Sequence, residues 1–183
     1  DGNLLPDIAD TGILVADQTL GPNVRIRYNA LNRVGEDAIR VASGANGVTV
    51  ERNQAWRGTA PNAKHAFWFE SRLTPVTSLV VTNNCFFGYD GGTTNHGAVF
   101  IDNEHEDGSV GGSGVRIESN RVESSTGKRT IWVGPNPSPN VSGWLRYNRY
   151  YPSTAIAPSS VPAGMQVHSN SVASFPPGVC TVL

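Results

Sequence analysis

The stretch Val-Arg-Ile-Glu-Ser-Asn at residues 115–120 decides the fold, because the chain repeats its pattern. The pattern is an apolar residue, any residue, a second apolar residue, two further residues and an asparagine. The other copies are VRIRYN from Val24, VTVERN from Val48, LVVTNN from Leu79, a degraded GWLRYN from Gly143 and MQVHSN from Met165. Their asparagines lie 24, 31, 36, 28 and 22 residues apart by subtraction. Constant elements joined by loops of variable length are typical of repeat architectures.

A second alternating series falls between the copies of the first. Its members are GILVAD from Gly12, AIRVAS from Ala38, AFWFES from Ala66, AVFIDN from Ala98 and TIWVGP from Thr130. Both series alternate with period two, which predicts strands with one buried face. Gly, Pro, Asn and Ser lie between them, and no window carries a helical apolar stripe. A unit of two or three short strands predicts an all-β parallel solenoid of about five to six coils.

This pattern resembles the right-handed parallel β-helix of the pectate-lyase-like superfamily over nearly the whole chain, and it is most like a phage tailspike or polysaccharide depolymerase. The resemblance implies a right-handed single-stranded parallel β-helix over residues 1–172, expected to be part of a longer solenoid protein. Residues 173–183 are expected to form a Pro-rich C-terminal tail or cap. In that family an asparagine stacks in a ladder at a bend of each coil. We expect the repeated asparagines to be structural and to adopt left-handed φ at that bend.

The composition limits the classes of partner and the covalent framework. A net charge of −1 and 16% charged residues give no general attraction to nucleic acid or anionic membranes. No apolar run approaches the roughly 18 residues of a membrane span. Cys85 and Cys180 define no disulfide framework, and we expect a buried thiol and a tail thiol.

Strand alternation places one column of the second series on the outside of the solenoid. That column reads Leu14, Arg40, Trp68, Phe100 and Trp132. Two residues further along their strands, Glu70 and Asp102 are expected side by side on neighbouring coils. Sugar rings stack on exposed aromatic faces, and retaining glycosidases hold two carboxylates about 5 Å apart. We therefore expect Glu70 and Asp102 to be acid/base and nucleophile, in either assignment.

The remaining candidates surround this face, where the resembled family binds its substrates. The expected substrate-binding residues are the sugar platforms Trp68, Phe100 and Trp132, together with Arg40 and the rim residues His96, Glu104 and His105. The polygalacturonase-like signatures are absent apart from the fragment Asn95-His96-Gly97. No cofactor is expected, although the acidic residues Asp102, Glu104, Glu106 and Asp107 leave a Ca²⁺ site as an alternative.

These features predict a polysaccharide-binding and polysaccharide-cleaving β-helix of the tailspike type, acting as a glycoside hydrolase. The resemblance implies a protein of the virion surface or tail, or a secreted one, and a homotrimer or other homo-oligomer. Neither nucleic acid nor membrane is expected as a partner. Two alternatives stay open: a polysaccharide lyase or epimerase of the same fold, and a non-catalytic structural or receptor-binding segment. In the second alternative, another subunit or a loop would cover the aromatic column.

Overall fold

The chain is a parallel β-solenoid. The computed structural model describes residues 1–15, 23–42, 47–57, 64–70, 76–89, 97–102, 112–124, 129–133, 141–151 and 164–172. These ranges contain nineteen strands, paired in parallel, and no helix. None of the described residues forms a helix that is long and apolar enough to cross a membrane. The predicted all-β solenoid class is thus confirmed.

Three sheets, which we name A, B and C, build the solenoid, and the strands from β1 to β16 visit them in turn. Sheet A contains β1 (Leu4–Pro6), β4 (Ala30–Asn32), β7 (Gln54–Trp56), β11 (Cys85–Phe87), β14 (Arg121–Glu123), β17 (Arg149–Tyr151) and β19 (Ser171–Val172). Sheet B contains β2 (Ile13–Val15), β5 (Ile39–Val41), β8 (Phe67–Glu70), β12 (Gly97–Asp102) and β15 (Arg129–Val133). Sheet C contains β3 (Val24–Arg27), β6 (Val48–Glu51), β10 (Val80–Thr82), β13 (Gly112–Glu118), β16 (Val141–Arg146) and β18 (Gly164–His168), and β9 (Val76–Thr77) pairs with β13.

The two sequence series form two of the sheets, and the third sheet follows the asparagines. The asparagine series supplies sheet C and the short-strand series supplies sheet B. Sheet A begins directly after each asparagine, and the residue two places beyond the asparagine lies in its strand. Those residues are Leu31, Ala55, Phe86, Val122, Tyr150 and Val172.

Apolar side chains from all three sheets fill the bore of the solenoid. Val50 and Ile117 of sheet C, Phe67 of sheet B, and Leu31 and Phe86 of sheet A are almost fully buried. Burying a side chain of this size stabilises the fold by about 1.5–3 kcal/mol. Because inward residues of successive coils stack on one another, the alternation in sequence becomes a continuous core.

The repeated asparagines form the predicted ladder. The backbone N–H and Nδ2 of Asn53 both donate to Oδ1 of Asn84, at 2.9 and 3.0 Å. Asn84 donates in the same way to Asn120. Nδ2 of Asn84 also donates to the carbonyl of Val50 in the preceding coil, at 2.9 Å. The pattern extends from Asn3 to Asn170, and from Asn29 to Asn148 one buried amide per coil joins the coil below to the coil above.

The expectation that these asparagines adopt left-handed φ is wrong. The residue before each of them takes that conformation, with φ between 54 and 57°. Those residues are Tyr28, Arg52, Asn83, Ser119, Tyr147 and Ser169. All six are exposed. The bend therefore falls one residue earlier, which turns the asparagine side chain inward to where the ladder forms.

The copy of the asparagine motif that starts at Gly143 lacks its first apolar residue for a steric reason. Gly143 has a φ of 144°, and a Cβ on it would lie 1.8 Å from the carbonyl oxygen of Val115. The pairing of β13 with β16 shifts register between Gly112 and Val115. Glycine thus replaces the usual apolar residue because the backbones of two coils approach too closely there.

The expectation of a buried free thiol is wrong for Cys85. Cys85 is buried as expected, but it is disulfide-bonded. The chain contains one other cysteine, Cys180, which lies outside the described residues.

Candidate functional site

The outward residues of sheet B follow the predicted column. In the strand register Leu14 lies beside Arg40, Arg40 beside Trp68, Trp68 beside Phe100, and Phe100 beside Trp132. Neighbouring members are therefore about 4.8 Å apart along the solenoid axis. The backbone of Trp132 belongs to this column, but its side chain lies outside the described part of the structure.

The two predicted catalytic carboxylates also come from paired positions. Asp102 lies opposite Glu70 where β12 pairs with β8. The structure describes the backbone of Asp102 and not its side chain, so the distance between the carboxylates stays a prediction. The rim candidates His96, Glu104 and His105 lie outside the described residues.

Glu70 accepts hydrogen bonds from Arg40, which the sequence analysis predicts to be a substrate-binding residue. Nε of Arg40 donates to Oε2 of Glu70 at 2.9 Å, and Nη2 of Arg40 donates to the same oxygen. Glu70 is 2% exposed, whereas the Arg40 side chain is 25% exposed. Charge-assisted hydrogen bonds of this kind compensate the desolvation of a buried carboxylate.

Trp68 lies between this ion pair and the next aromatic residue of the column. The guanidinium carbon of Arg40 is 4.0 Å from the Trp68 ring centroid, a cation–π contact. The Trp68 and Phe100 ring centroids are 6.1 Å apart and tilted by 38°. Trp68 is half-buried. Its ring is therefore fixed on one side by a cation and supported by an aromatic ring from the next coil.

Phe100 does not lie open on the surface as the sequence reasoning expected. It is 1% exposed, and its ring stacks on His65 at 5.1 Å with an interplanar angle of 16°. The expectation of an exposed Phe100 is wrong because strand alternation fixes only the direction of a side chain. The residues packed around that side chain decide how far solvent reaches it. Phe100 thus supports the Trp68 ring and offers no face of its own.

Sequence reasoning missed a buried polar cluster beside these rings. Nδ1 of His65 donates to Oδ1 of Asp37 at 2.7 Å, and both side chains are almost completely buried. His65 also contacts Trp68, with ring centroids 5.3 Å apart. Burial raises the pKa of the Tyr89 hydroxyl, and the Asp37 carboxylate raises it further against a smaller opposing effect of Arg57. Asp37 Oδ2, Trp68 Nε1 and Tyr89 OH are buried with no hydrogen-bond partner among the described residues.

A sequence signal for this cluster exists at the start of two strands. Asp37 and His65 each stand two residues before the first residue of their strands, β5 and β8. Because those strands pair in register, extending the aligned columns by two places towards the N-terminus brings Asp37 next to His65. That alignment, combined with the complementary chemistry of a carboxylate and an imidazole, would have identified the pair.

Comparisons with known proteins add no assignment to this geometry. No protein-family model, no curated protein and no solved structure matches the chain. Within the described ranges, no three His, Cys, Asp or Glu side chains are grouped closely enough to hold a metal ion. Glu104, Glu106 and Asp107 of the alternative calcium site lie outside those ranges, so that alternative stays a prediction.

Proposed function

We propose that the outer face of sheet B binds a polysaccharide and that Glu70 and Asp102 cleave its glycosidic bonds. The observation that carries this proposal is the placement of Asp102 opposite Glu70 on adjacent strands, directly beyond the column containing Trp68. Paired strands bring equivalent residues within about 4.8 Å, close to the ~5 Å carboxylate separation of retaining glycosidases. The exposed part of the half-buried Trp68 side chain would contact a sugar next to the bond that is cleaved.

The contacts of Glu70 favour one assignment of the two roles. A nucleophile attacks the anomeric carbon as an anion, and Arg40 supplies a counter-charge at Oε2 of Glu70. We therefore assign Glu70 as nucleophile and Asp102 as acid/base. Asp102 protonates the leaving oxygen as Glu70 forms the glycosyl ester, and then takes a proton from the water that hydrolyses this ester.

The biological setting is proposed from the resemblance to the pectate-lyase-like superfamily and its tailspike members. In this proposal the protein is a homotrimer or other homo-oligomer, and its partner is a polysaccharide. It lies on a virion surface or tail, or it is secreted. A lyase or epimerase is the second candidate, and the position of Arg40 favours it, since a basic residue beside the acids suits substrates that carry carboxylates. A non-catalytic receptor-binding segment is the third.

A glycan array combined with a reducing-sugar assay tests the proposal. The wild-type protein should release reducing ends from the polysaccharide that it binds on the array. Glu70→Gln and Asp102→Asn should each abolish this release while binding of the polysaccharide persists. Glu51→Gln, which changes a half-buried carboxylate on sheet C, is the matched control and should retain full activity. Products with an unsaturated uronic acid would indicate a lyase. Binding without turnover would indicate the receptor-binding alternative, and unchanged activity in both variants would exclude these carboxylates.

A further inference from the structure

The corner between sheets C and A carries an exposed column, one residue per coil, that the proposed site on sheet B does not use. We name it the corner stripe, and it consists of Tyr28, Arg52, Asn83, Ser119, Tyr147 and Ser169. These are the left-handed residues that precede the ladder asparagines. Neighbouring members are about 4.8 Å apart along the axis, so Tyr28 and Tyr147 are separated by roughly 19 Å over four coils.

Tyrosine is an unusual choice at two of these positions. The left-handed region brings Cβ close to the following carbonyl, and Gly or Asn accommodates it more readily than a large side chain. Tyr28 and Tyr147 nevertheless take φ of 57° and are 49% and 52% exposed, so burial does not compensate for the strain. All six members of the stripe take this φ because the bend of each coil requires it, so the fold accounts for the backbone and only the choice of tyrosine is left to explain. What tyrosine adds over asparagine or serine is an aromatic face directed at solvent.

Basic neighbours contact each tyrosine ring. Nη1 of Arg52 donates to the hydroxyl of Tyr28 at 2.6 Å, and its guanidinium carbon lies 5.6 Å from that ring centroid. At the other end Arg146 lies 5.4 Å from the Tyr147 ring, and His168 meets Tyr147 edge-on at 5.8 Å. The two rings thus have defined contacts without being covered, which lowers the entropy cost of binding to them.

We propose that the corner stripe is a second binding surface for a linear polysaccharide lying parallel to the solenoid axis. The exposed tyrosine faces stack on sugar rings at the two ends. Between them Arg52, Asn83 and Ser119 supply one guanidinium, one amide and one hydroxyl, which hydrogen-bond to sugar hydroxyls. A straight row of polar groups on successive coils fits an extended polymer better than a compact ligand. Because the stripe lies on another corner, it does not depend on cleavage at sheet B.

Glycine provides a variant that removes the aromatic rings without adding backbone strain. In Tyr28→Gly/Tyr147→Gly both rings are absent, and glycine accepts the left-handed φ freely. Affinity electrophoresis through gels containing dextran, xyloglucan, polygalacturonate or alginate measures binding, in a Glu70→Gln background so that the polymer is not cleaved. The double variant should lose roughly tenfold or more in affinity for the polymer that retards the parent protein, since two stacking contacts are removed. Its thermal midpoint should not fall.

Trp56→Ala is the matched control, because Trp56 is 53% exposed on sheet A and lies off the stripe. It should leave the affinity unchanged. Trp68→Ala reports separately on sheet B, so failure of one surface is distinguished from failure of the other. The proposal is overturned if the double glycine variant binds as the parent does, or if the parent binds none of the four polymers.

Discussion

Substituting Asn84 by alanine should destabilise the whole solenoid, because Asn84 links three coils. Its Nδ2 donates to Val50 O and Asn120 Oδ1, and its Oδ1 accepts from the backbone N–H and Nδ2 of Asn53. Alanine removes all four hydrogen bonds and leaves the Asn53 N–H buried without this acceptor. At about 0.5–1.5 kcal/mol for each lost bond, and more for the orphaned donor, the expected loss is about 3–5 kcal/mol. That is a large part of a typical total of about 5–15 kcal/mol.

Urea unfolding followed by circular dichroism measures this loss as a shift of the midpoint at constant slope. Asn3→Ala is the matched control, since Asn3 is exposed and its side chain makes one hydrogen bond to the ladder, to Asn29 Oδ1. It should cost less than about 1 kcal/mol. Equal losses in the two variants would refute the reasoning, because the ladder would then contribute no more in the middle of the solenoid than at its first coil.

Three further substitutions test other parts of the structure. Ser119 has a left-handed φ of 56°. In urea unfolding, Ser119→Gly should therefore be at least as stable as wild type, and Ser119→Val should lose about 1–2 kcal/mol. The reverse order of stability would contradict the assigned bend. Hydrogen bonding from Arg116 holds the pKa of Glu118 below its usual 4.5, so its contribution is present above that pH and is lost as pH falls below it. Wild type should therefore lose more stability than Glu118→Gln between about pH 5 and pH 3, and parallel pH profiles would exclude the effect. Arg40→Ala removes the charge-assisted hydrogen bonds from Arg40 to the buried carboxylate of Glu70 and should cost about 2–4 kcal/mol by thermal unfolding. A loss close to zero would mean that the ion pair is not formed.

The register of sheets B and C could be predicted from the sequence because both series keep a strict period of two. One slip by a single residue would turn Phe67 and Phe69 to solvent, so burial fixes the alignment. Sheet A was not predicted as a separate sheet, since its strands offer few residues for a periodic pattern. The constant spacing from each asparagine to an apolar residue two places later was its signal, visible at Leu31 and Phe86.

The candidate site could be predicted in position but not in environment. Pairing places Trp68 with Phe100 and Glu70 with Asp102, as alternation required. The ring of Phe100 stacks on His65, which lies before the periodic strand rather than in it. Likewise, Arg40 is paired with Trp68 but contacts Glu70, two residues further along the same strand. An alignment of paired residues alone does not show this contact.

The stacking of coils is tested most directly by a distance between residues far apart in sequence. Arg25 and Gln166 are exposed on sheet C and are connected by consecutive register pairs through Thr49, Val80, Arg116 and Trp144. Nitroxide labels on Arg25→Cys/Gln166→Cys, measured by double electron–electron resonance, should give one narrow distance near 24 Å, five strand spacings. Labels on Thr49→Cys/Gln166→Cys should give a distance shorter by about 4.8 Å. A broad distribution, or two pairs that do not differ by one spacing, would contradict the stacked solenoid.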